Sequence, residues 1–363
     1  MTLASSQTDE RTASRRRGPR PPTDYSVVLQ SVQSEGLLRR RYGYYVVKIG
    51  LIFLALGGLW VGFAFLGDHW AQVGLAAAMG LVFTQIMFVS HEAAHRQIFR
   101  SQHANEMAAM VMGTLFGGVS LAWWHNKHNK HHAAPNQISK DPDIDPSIVH
   151  FYPLPTKPKN RIWRWMHERQ GWWFFPLLVV EALNLHAQSI QALVTRPQVK
   201  RRWIELSMMV VRLGLYPAVL YVFLPAGLAT VFLATQLAVT GVYLGSVFAA
   251  SHIGMPIVDK TARIDFLRRQ VLTSRNVAGG RFTSFMMGDL NLQIEHHLFP
   301  SASGPSLRPI QAILRPYSDF NGIHYEEVSI WQAWAIVVRY LNKVGLAAGA
   351  PFKCPVLAEL RPA

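Results

Sequence analysis

Four long apolar runs constrain this chain more than any other feature of its sequence. They cover residues 45–65, 71–90, 203–224 and 227–251. The first is long enough to form about 31 Å of helix, which matches a hydrocarbon core of about 30 Å. Because backbone polar groups in lipid must bond to one another, such runs form helices. The sequence therefore predicts an all-α integral membrane protein with four transmembrane helices in two hairpins.

The composition agrees with a membrane protein and limits the metal chemistry. Only 16% of the residues are charged and 50% are hydrophobic, whereas soluble domains carry about 25% charged residues. The single cysteine, Cys354, excludes a disulfide framework and any zinc or iron–sulfur site built from cysteine. A metal site in this chain must therefore use histidine and carboxylate ligands.

Positive charge predicts which side of the membrane each segment faces. Eight arginines lie between Arg11 and Arg41, whereas the short connections at 66–70 and 225–226 hold no lysine or arginine. No nucleic-acid recognition motif accompanies the arginines, so we expect them to face anionic lipid and no nucleic acid to bind. The positive-inside rule predicts a multi-pass protein with both termini in the cytoplasm, and no cleavable signal peptide is expected.

We predict three regions along the chain. They are a basic cytoplasmic tail over 1–44, a catalytic core over 45–325, and a C-terminal cytoplasmic helix and tail over 326–363. Residues 172–194 carry polar residues at a 3-4-3 spacing, which predicts an amphipathic helix at the membrane interface or over a cavity. Residues 107–124 resemble a further span, but they cannot cross the membrane if the histidines on either side share a metal.

Two basic residues interrupt the apolar runs. Lys48 lies near one end of the first run, where it is expected to snorkel to the interface. Arg212 lies well inside the third run, where a charge costs a few kcal/mol. Three roles stay open for it: it snorkels, it pairs with Glu205, or it lines a polar cavity.

Three histidine clusters carry the chemistry. The string "SHEAAH" contains H-E-x-x-H, which is typical of zinc metalloproteases. The second cluster lies in "WWHNKHNKHHAAPN" and the third in "LNLQIEHHLFP". Positions i and i+4 of a helix share a face, whereas adjacent positions diverge by about 100°. Adjacent histidines therefore suit two different metals or coordination positions. The clusters offer seven candidate ligands: His91, His95, His128, His131, His132, His296 and His297.

The number of histidines indicates two metal ions. Catalytic zinc needs only three protein ligands plus water, so a protease would leave most of these imidazoles unused. Imidazole suits iron, copper and zinc, so ligand type alone does not select the metal. We expect all the clusters to lie together in a histidine-rich cytoplasmic cap.

The order H-x-x-x-H, H-x-x-H-H and Q-x-x-H-H, separated by the apolar runs, resembles the three histidine boxes of the membrane fatty acid desaturases. The strings "KHNKHHAAPN" and "LNLQIEHHLFP" are similar to the branch that includes front-end acyl and sphingolipid desaturases. The resemblance implies two non-haem iron ions, O2 as co-substrate and a fatty acyl substrate carried on a lipid, CoA or a carrier protein. It also implies an eighth ligand, His252 in "FAASHIGMP".

The same resemblance implies an external electron donor. The sequence holds no H-P-G-G motif of the haem domain that many front-end desaturases carry, so we expect a separate, ferredoxin-like donor attracted to a basic cytoplasmic face. In a bacterium the protein would lie in the plasma membrane. Hydroxylases and acetylenases share the histidine boxes and remain alternatives, as do a metalloprotease and, less plausibly, a metal-storage protein.

Several polar residues near the boxes are candidates for a weak ligand or for a partner that orients a ligand. Gln293 stands where other branches have histidine. In the acidic string "KDPDID", Asp141 could orient an imidazole in the same way as Asp143 and Asp145. No role is assigned to His125, His186 or Asp289. The candidates are Gln293, Glu92, Glu295, Asp143 and Asp145.

Overall fold

Helices form nearly all the regular structure in residues 23–350, the part of the chain that the computed structural model describes. The basic string from Arg11 to Arg20 and the cysteine at position 354 lie outside these residues.

The four apolar runs are helical, as predicted. The first two runs form α2 (Tyr42–Leu66) and α3 (Gln72–Ala94), joined by a short turn. Gly67 in that turn has φ of +52°, a conformation that glycine adopts without steric cost. The buried Gln72 amide donates hydrogen bonds to the carbonyls of Phe63 and Gly67, which holds the two helices antiparallel.

The second pair of runs follows the same plan with one irregularity. The third run begins as α9 (Arg202–Val210), passes through a π-helical turn (Val211–Leu215) and ends as α10 (Tyr216–Phe223). The fourth run is the single helix α11 (Ala226–His252). A π-helical turn widens the helix locally, and such turns occur often at functional sites.

Helices α3 and α11 pack closely through small residues. A Cβ atom on Gly80 would lie 2.8 Å from Cβ of Val239, so the two backbones approach where glycine leaves room. Elsewhere on α11, a Cβ atom on Gly241 would collide with the carbonyl of Leu178, which belongs to the segment before the third apolar run. Small residues at helix contacts are common in membranes, where close van der Waals packing drives association.

The segment between α3 and α9 contains a sharp bend. Helix α4 (Gln102–Met110) continues as a π-helical segment (Val111–Phe116), and α5 (Leu121–Ala133) leaves it at 113°. Gly118, with φ of +71°, lies in the bend. No straight helix therefore runs through residues 107–124, and the bend brings the second histidine cluster to the same end of the bundle as the first.

Residues 172–194, the region predicted to be amphipathic, are helical. They lie in α7 (Gln170–Leu177), a 3₁₀ turn (Leu178–Val180) and α8 (Glu181–Thr195), and α6 (Arg161–Glu168) precedes them. On α8, Asn184 donates to Glu181 and Gln188 donates to Asn184, so the polar residues do form one stripe. Residues 170–195 are also long and apolar enough to cross a membrane.

By length and composition, the described residues contain five helices that can span a membrane, or six if the bent pair α4–α5 counts as one span. Four of the five correspond to the predicted spans. The fifth is residues 170–195, for which an interfacial position remains a prediction.

Seven elements follow α11. They are α12 (Phe266–Thr273), β1 (Asn276–Val277), α13 (Arg281–Met286), α14 (Gln293–Leu298), α15 (Gly304–Phe320), β2 (Glu327–Val328) and α16 (Ile330–Leu346). Helices α12, α14 and α15 share a hydrophobic core. Strand β1 pairs in parallel with β2, with Asn276 opposite Glu327. Helix α1 (Asp24–Ser34) buries Val28 and Val32 against this core. The core encloses α14, which carries the third histidine cluster.

The snorkelling predicted for Lys48 is wrong. The side chain is buried, and its Nζ lies 3.0 Å from both carboxylate oxygens of Glu92 and 3.6 Å from Oδ2 of Asp289. A buried ammonium is stable only beside carboxylates, and these two come from α3 and from the segment before α14.

Arg212 lines a small, mostly apolar cavity and does not pair with Glu205. Its guanidinium lies over the rings of Phe83 and Tyr216 and donates to Oε1 of Gln236 at 3.2 Å. The carboxylate of Glu205 instead accepts hydrogen bonds from Ser120 and from the backbone N–H of residue 122. Of the three roles considered for Arg212, the structure selects the cavity.

Candidate metal centre

Four helices bring eight histidines to one end of the bundle. His91 and His95 lie at the end of α3, and His252 is the last residue of α11. The second cluster occupies the last two turns of α5, and the third lies in α14. Each predicted ligand therefore lies at or near a helix end, where its ring reaches beyond the packed bundle.

Five of the imidazoles form one set. One nitrogen from each lies within 4.8 Å of the others. Nε2 of His128 lies 3.1 Å from Nε2 of His91, 2.8 Å from that of His95 and 3.0 Å from that of His132. A single imidazole nitrogen cannot satisfy three others by hydrogen bonding. The set is His91, His95, His128, His132 and His296.

The other three imidazoles form a second set with the same 4.8 Å limit: His131, His252 and His297. Nε2 of His131 lies 3.3 Å from Nε2 of His252. The side-chain amide of Gln293 joins this set, with its nitrogen placed 3.0 Å from Nε2 of His252. Adjacent residues in the chain thus belong to different sets, as the 100° divergence of neighbouring helical positions allows.

Hydrogen bonds orient every ring of the second set. Nδ1 of His131 donates to Asp141 at 2.9 Å, and Nδ1 of His297 donates to Oε1 of Gln270 at 3.0 Å. Nδ1 of His252 donates to the backbone carbonyl of Thr273 at 3.1 Å. Partners of this kind fix the tautomer, so that the Nε2 lone pair is available to a metal.

The nitrogen donors fit a metal ion. Two nitrogens bound at about 2.1 Å and at right angles are separated by about 3.0 Å, close to the spacings in the first set. Nε2 of His296 and Nε2 of His297 are buried and have no hydrogen-bond partner among residues 23–350. Burial also holds the pKa of both residues well below its usual value, so both rings are neutral, as ligation requires.

Two of the predicted carboxylate partners lie elsewhere. Glu92 binds Lys48 through both oxygens, so its predicted contact with an imidazole is absent from the described structure. Glu295 accepts hydrogen bonds from Asn276 and Tyr325 at 2.7 and 2.6 Å, and burial raises its pKa to about 7. Both residues are adjacent to a histidine in sequence, but on a helix neighbouring side chains point in different directions.

The acidic string after α5 has one buried member and two exposed ones. Asp143 lies 3.3 Å from Nδ1 of His131 and 2.8 Å from Lys127, so it retains a place beside the site. Asp145 is exposed, and no contact with a histidine is found for it within residues 23–350. Asp141, which the sequence grouped with Asp143 and Asp145 as a possible partner of an imidazole, is fully buried and makes the shorter bond to His131.

Sequence reasoning missed an aromatic residue at the first set. Trp124 stacks on His128, with ring centroids 4.2 Å apart, and its ring also contacts those of His91 and His95. Its only signal was its position one turn before His128. His125 belongs to neither set.

A small cavity of about 10 Å³, room for about one water molecule, lies one helical turn from the first set. Met87, which precedes His91 by one turn, is in its wall. The polar residues that line the cavity include Arg212 and His186. Nε2 of His186 also lies 3.0 Å from the carbonyl oxygen of Gly117. The remaining apolar lining residues include Phe83, Leu185, Leu237 and Leu244.

A largely helical protein with several membrane-type helices and eight convergent imidazoles has the features of the class of membrane proteins whose histidine clusters could hold metal ions. Sequence comparison identifies the family within that class. The fatty acid desaturase family model matches residues 68–329, and the chain belongs to the fatty acid desaturase family.

Individual relatives agree with this assignment. The chain is 30% identical over 288 residues to an acyl-lipid (9-3)-desaturase of Physcomitrium patens, covering 77% of this chain and 54% of the moss protein. It is 28% identical over 338 residues to a Delta(5) fatty acid desaturase of Caenorhabditis elegans, covering 87% and 73%. A Delta 8-(E)-sphingolipid desaturase of Kluyveromyces lactis is 23% identical over 356 residues, covering 92% and 61%. The match thus spans about half the length of the moss relative.

Proposed function

We propose that this protein introduces a double bond into a fatty acyl chain, using O2 and two iron ions held by the eight histidines. The observation that carries the proposal is the division of the imidazoles into a set of five and a set of three. Two separate sets support two metal ions. Imidazole suits iron, copper and zinc alike, and membership of the desaturase family favours iron among them.

The two sets of imidazoles would hold the iron ions without adding charge. When bound, iron would supply, together with O2, the chemistry for removing two hydrogens from an unactivated alkyl chain. Asp141, Gln270 and the Thr273 carbonyl keep three of the rings in one orientation. Trp124 and the apolar residues beside it exclude water from the first set, which protects a reactive site from quenching.

The protease alternative is disfavoured by the position of Glu92. A zinc protease needs this carboxylate as the base that activates water. Both of its oxygens bind Lys48 instead, and the remaining histidines would have no role. Hydroxylases and acetylenases share the same ligands, and the names of the relatives favour a desaturase.

Product analysis tests the proposal. The full chain is expressed in a host whose acyl composition is known, and the lipids are analysed by mass spectrometry with localisation of double bonds. We expect a new unsaturated acyl chain that is absent with His95→Ala, since no neighbouring donor replaces the lost imidazole. A hydroxylated or triple-bonded product would identify the alternatives, and the site of the bond and the acyl carrier would be read from the same spectra.

An acidic electron donor, such as a ferredoxin, fits the exposed surface beside the metal centre. Arg96, Lys130 and Lys140 are exposed near the ends of α3 and α5. Opposite charges steer association and weaken as salt screens them. We expect turnover supported by an acidic ferredoxin to fall with ionic strength at constant iron content, whereas a chemical reductant should show no such dependence.

We also propose that both termini and the metal centre face the cytoplasm, with four helices crossing the membrane. The distribution of lysine and arginine supports this orientation. Cysteine labelling on a Cys354→Ser background tests it. A cysteine at position 140 should react only after the membrane is opened to the probe, and reaction from outside in intact cells would reverse the topology.

A further inference from the structure

The first and third histidine boxes meet at a buried charge cluster that contains no histidine. Lys48 of α2 contacts Glu92 of α3, and it also contacts Asp289 in the segment that leads to α14. Tyr44 donates its hydroxyl hydrogen to Oδ2 of Asp289 at 2.9 Å. All three charged residues are buried, so none of the charges is screened by bulk water.

A second polar link runs parallel to the first. The hydroxyl of Tyr45 donates to Oε1 of Gln97, just beyond α3, at 3.0 Å. Nε2 of Gln97 donates to the carbonyl of Pro300, just beyond α14, at 2.8 Å. Helix α2 thus contacts the first histidine box and the residue Gln97 beyond it. It also contacts Asp289 before the third box, and Gln97 extends the link to the segment after that box.

We propose that Lys48 is a positioning residue that fixes the position of the first histidine box relative to the third. In this way His296 meets His91 and His95 in one metal site. His296 comes from α14, whereas the other two come from α3, and each of their ring centroids lies 4.8 Å from that of His296. Contacts between the rings alone would let α14 shift along α3. An ammonium between two carboxylates in a water-excluded region opposes such a shift, because either charge would lose its partner.

The backbone at Asp289 supports this role. Its φ is +62°, which is uncommon for a residue other than glycine, and a Cβ on Gly304 would collide with its carboxylate. The chain therefore places a carboxylate in a strained and crowded position that Lys48 makes favourable. This also accounts for the aspartate in "GDLN", which the sequence left without a role.

The inference rests on the proposed metal centre, and its test does not depend on turnover. Metal-free protein in detergent is titrated with Co²⁺, whose visible absorbance reports nitrogen ligation, and its melting temperature is measured separately. We expect Lys48→Met to weaken Co²⁺ binding by about 10- to 100-fold, the usual effect of losing a partner that orients ligands. It should also lower the melting temperature, because two buried carboxylates lose their counter-charge.

Three further variants complete the test. Lys48→Arg should retain most of the affinity, since it keeps the charge. The triple variant Lys48→Met/Glu92→Gln/Asp289→Asn should have a higher melting temperature than Lys48→Met, because it removes the unpaired charges. Asparagine at position 289 accepts the positive φ found there. Lys200→Met is the matched control, because Lys200 pairs with Glu106 at an exposed site, and it should match the wild type in both measurements.

Equal Co²⁺ affinity for Lys48→Met and Lys200→Met would overturn the inference, as would a triple variant no more stable than Lys48→Met. If Lys48→Met does not fold, the triple variant is compared with the wild type instead. A triple variant that folds and binds Co²⁺ more weakly supports the positioning role, whereas one that binds Co²⁺ as well as the wild type refutes it. Failure of the wild type to bind Co²⁺ would instead refute the proposed metal centre, and the melting temperatures would still decide whether Lys48 joins the two segments.

Discussion

Replacing Asp141 by asparagine should selectively weaken the second set of histidines. Oδ2 of Asp141 accepts hydrogen bonds from Nδ1 of His131 at 2.9 Å and from the backbone N–H of Asn136 at 2.7 Å. Oδ1 accepts from the backbone N–H of Asp143 at 2.9 Å. All three partners are donors, but an asparagine side chain has only one oxygen. If that oxygen keeps the bonds to His131 and Asn136, the new NH2 group faces the backbone N–H of Asp143, which then has no acceptor.

The magnitude follows from these contacts. Asp141→Asn removes the charge that strengthens the bond to His131 and leaves one buried donor without an acceptor. A hydrogen bond to a charged group contributes about 1.5–3 kcal/mol, and each 1.4 kcal/mol is a factor of about ten in affinity. We therefore expect metal binding at the second set to weaken by about 10- to 100-fold.

The assay is iron content and Co²⁺ titration of purified protein. The wild type should hold about two iron ions per chain at saturation, and the variant should approach about one under limiting iron, since the five-histidine set keeps its ligands. Asp145→Asn is the control, because this carboxylate is exposed in the same loop. Equal iron content and Co²⁺ affinity in the two variants would refute the reasoning.

Three further predictions concern packing, protonation and the metal. Gly241→Ala should destabilise the protein by about 1–3 kcal/mol because its methyl group would collide with the carbonyl of Leu178. Gly227→Ala, in the same helix but in open space, should leave the melting temperature unchanged. Burial lowers the pKa of the two α14 histidines, so the unfolded chain binds more protons below pH of about 6.5. The metal-free protein should therefore melt at a lower temperature at pH of about 5.5 than at about 7.5, and a rise would contradict the burial argument. His95→Ala should lower the iron content of purified protein measured by mass spectrometry, and an unchanged value would remove His95 from the ligand set.

The sequence alone identified the apolar runs as helices and found, from local patterns, seven of the eight histidines that the structure brings together. The eighth, His252, followed only from the resemblance to the desaturase family. A long apolar run in lipid has little alternative to a helix, and the i, i+4 spacing of His91 and His95 places both rings on one face regardless of the rest of the fold.

Only the tertiary structure decided which residues meet. His131 and His252 are separated by 121 residues, and Tyr44 and Asp289 by 245, so no local pattern pairs them. Sequence proximity suggested that Glu92 and Glu295 contact the imidazoles beside them, but helix geometry turns them toward Lys48 and toward Asn276 with Tyr325. Sequence position also suggested that the Lys48 side chain reaches water, but packing placed Glu92 of α3 and Asp289 of the segment before α14 beside it. Local spacing fixes the direction of a side chain relative to its own helix, whereas the partner it meets depends on how distant helices pack.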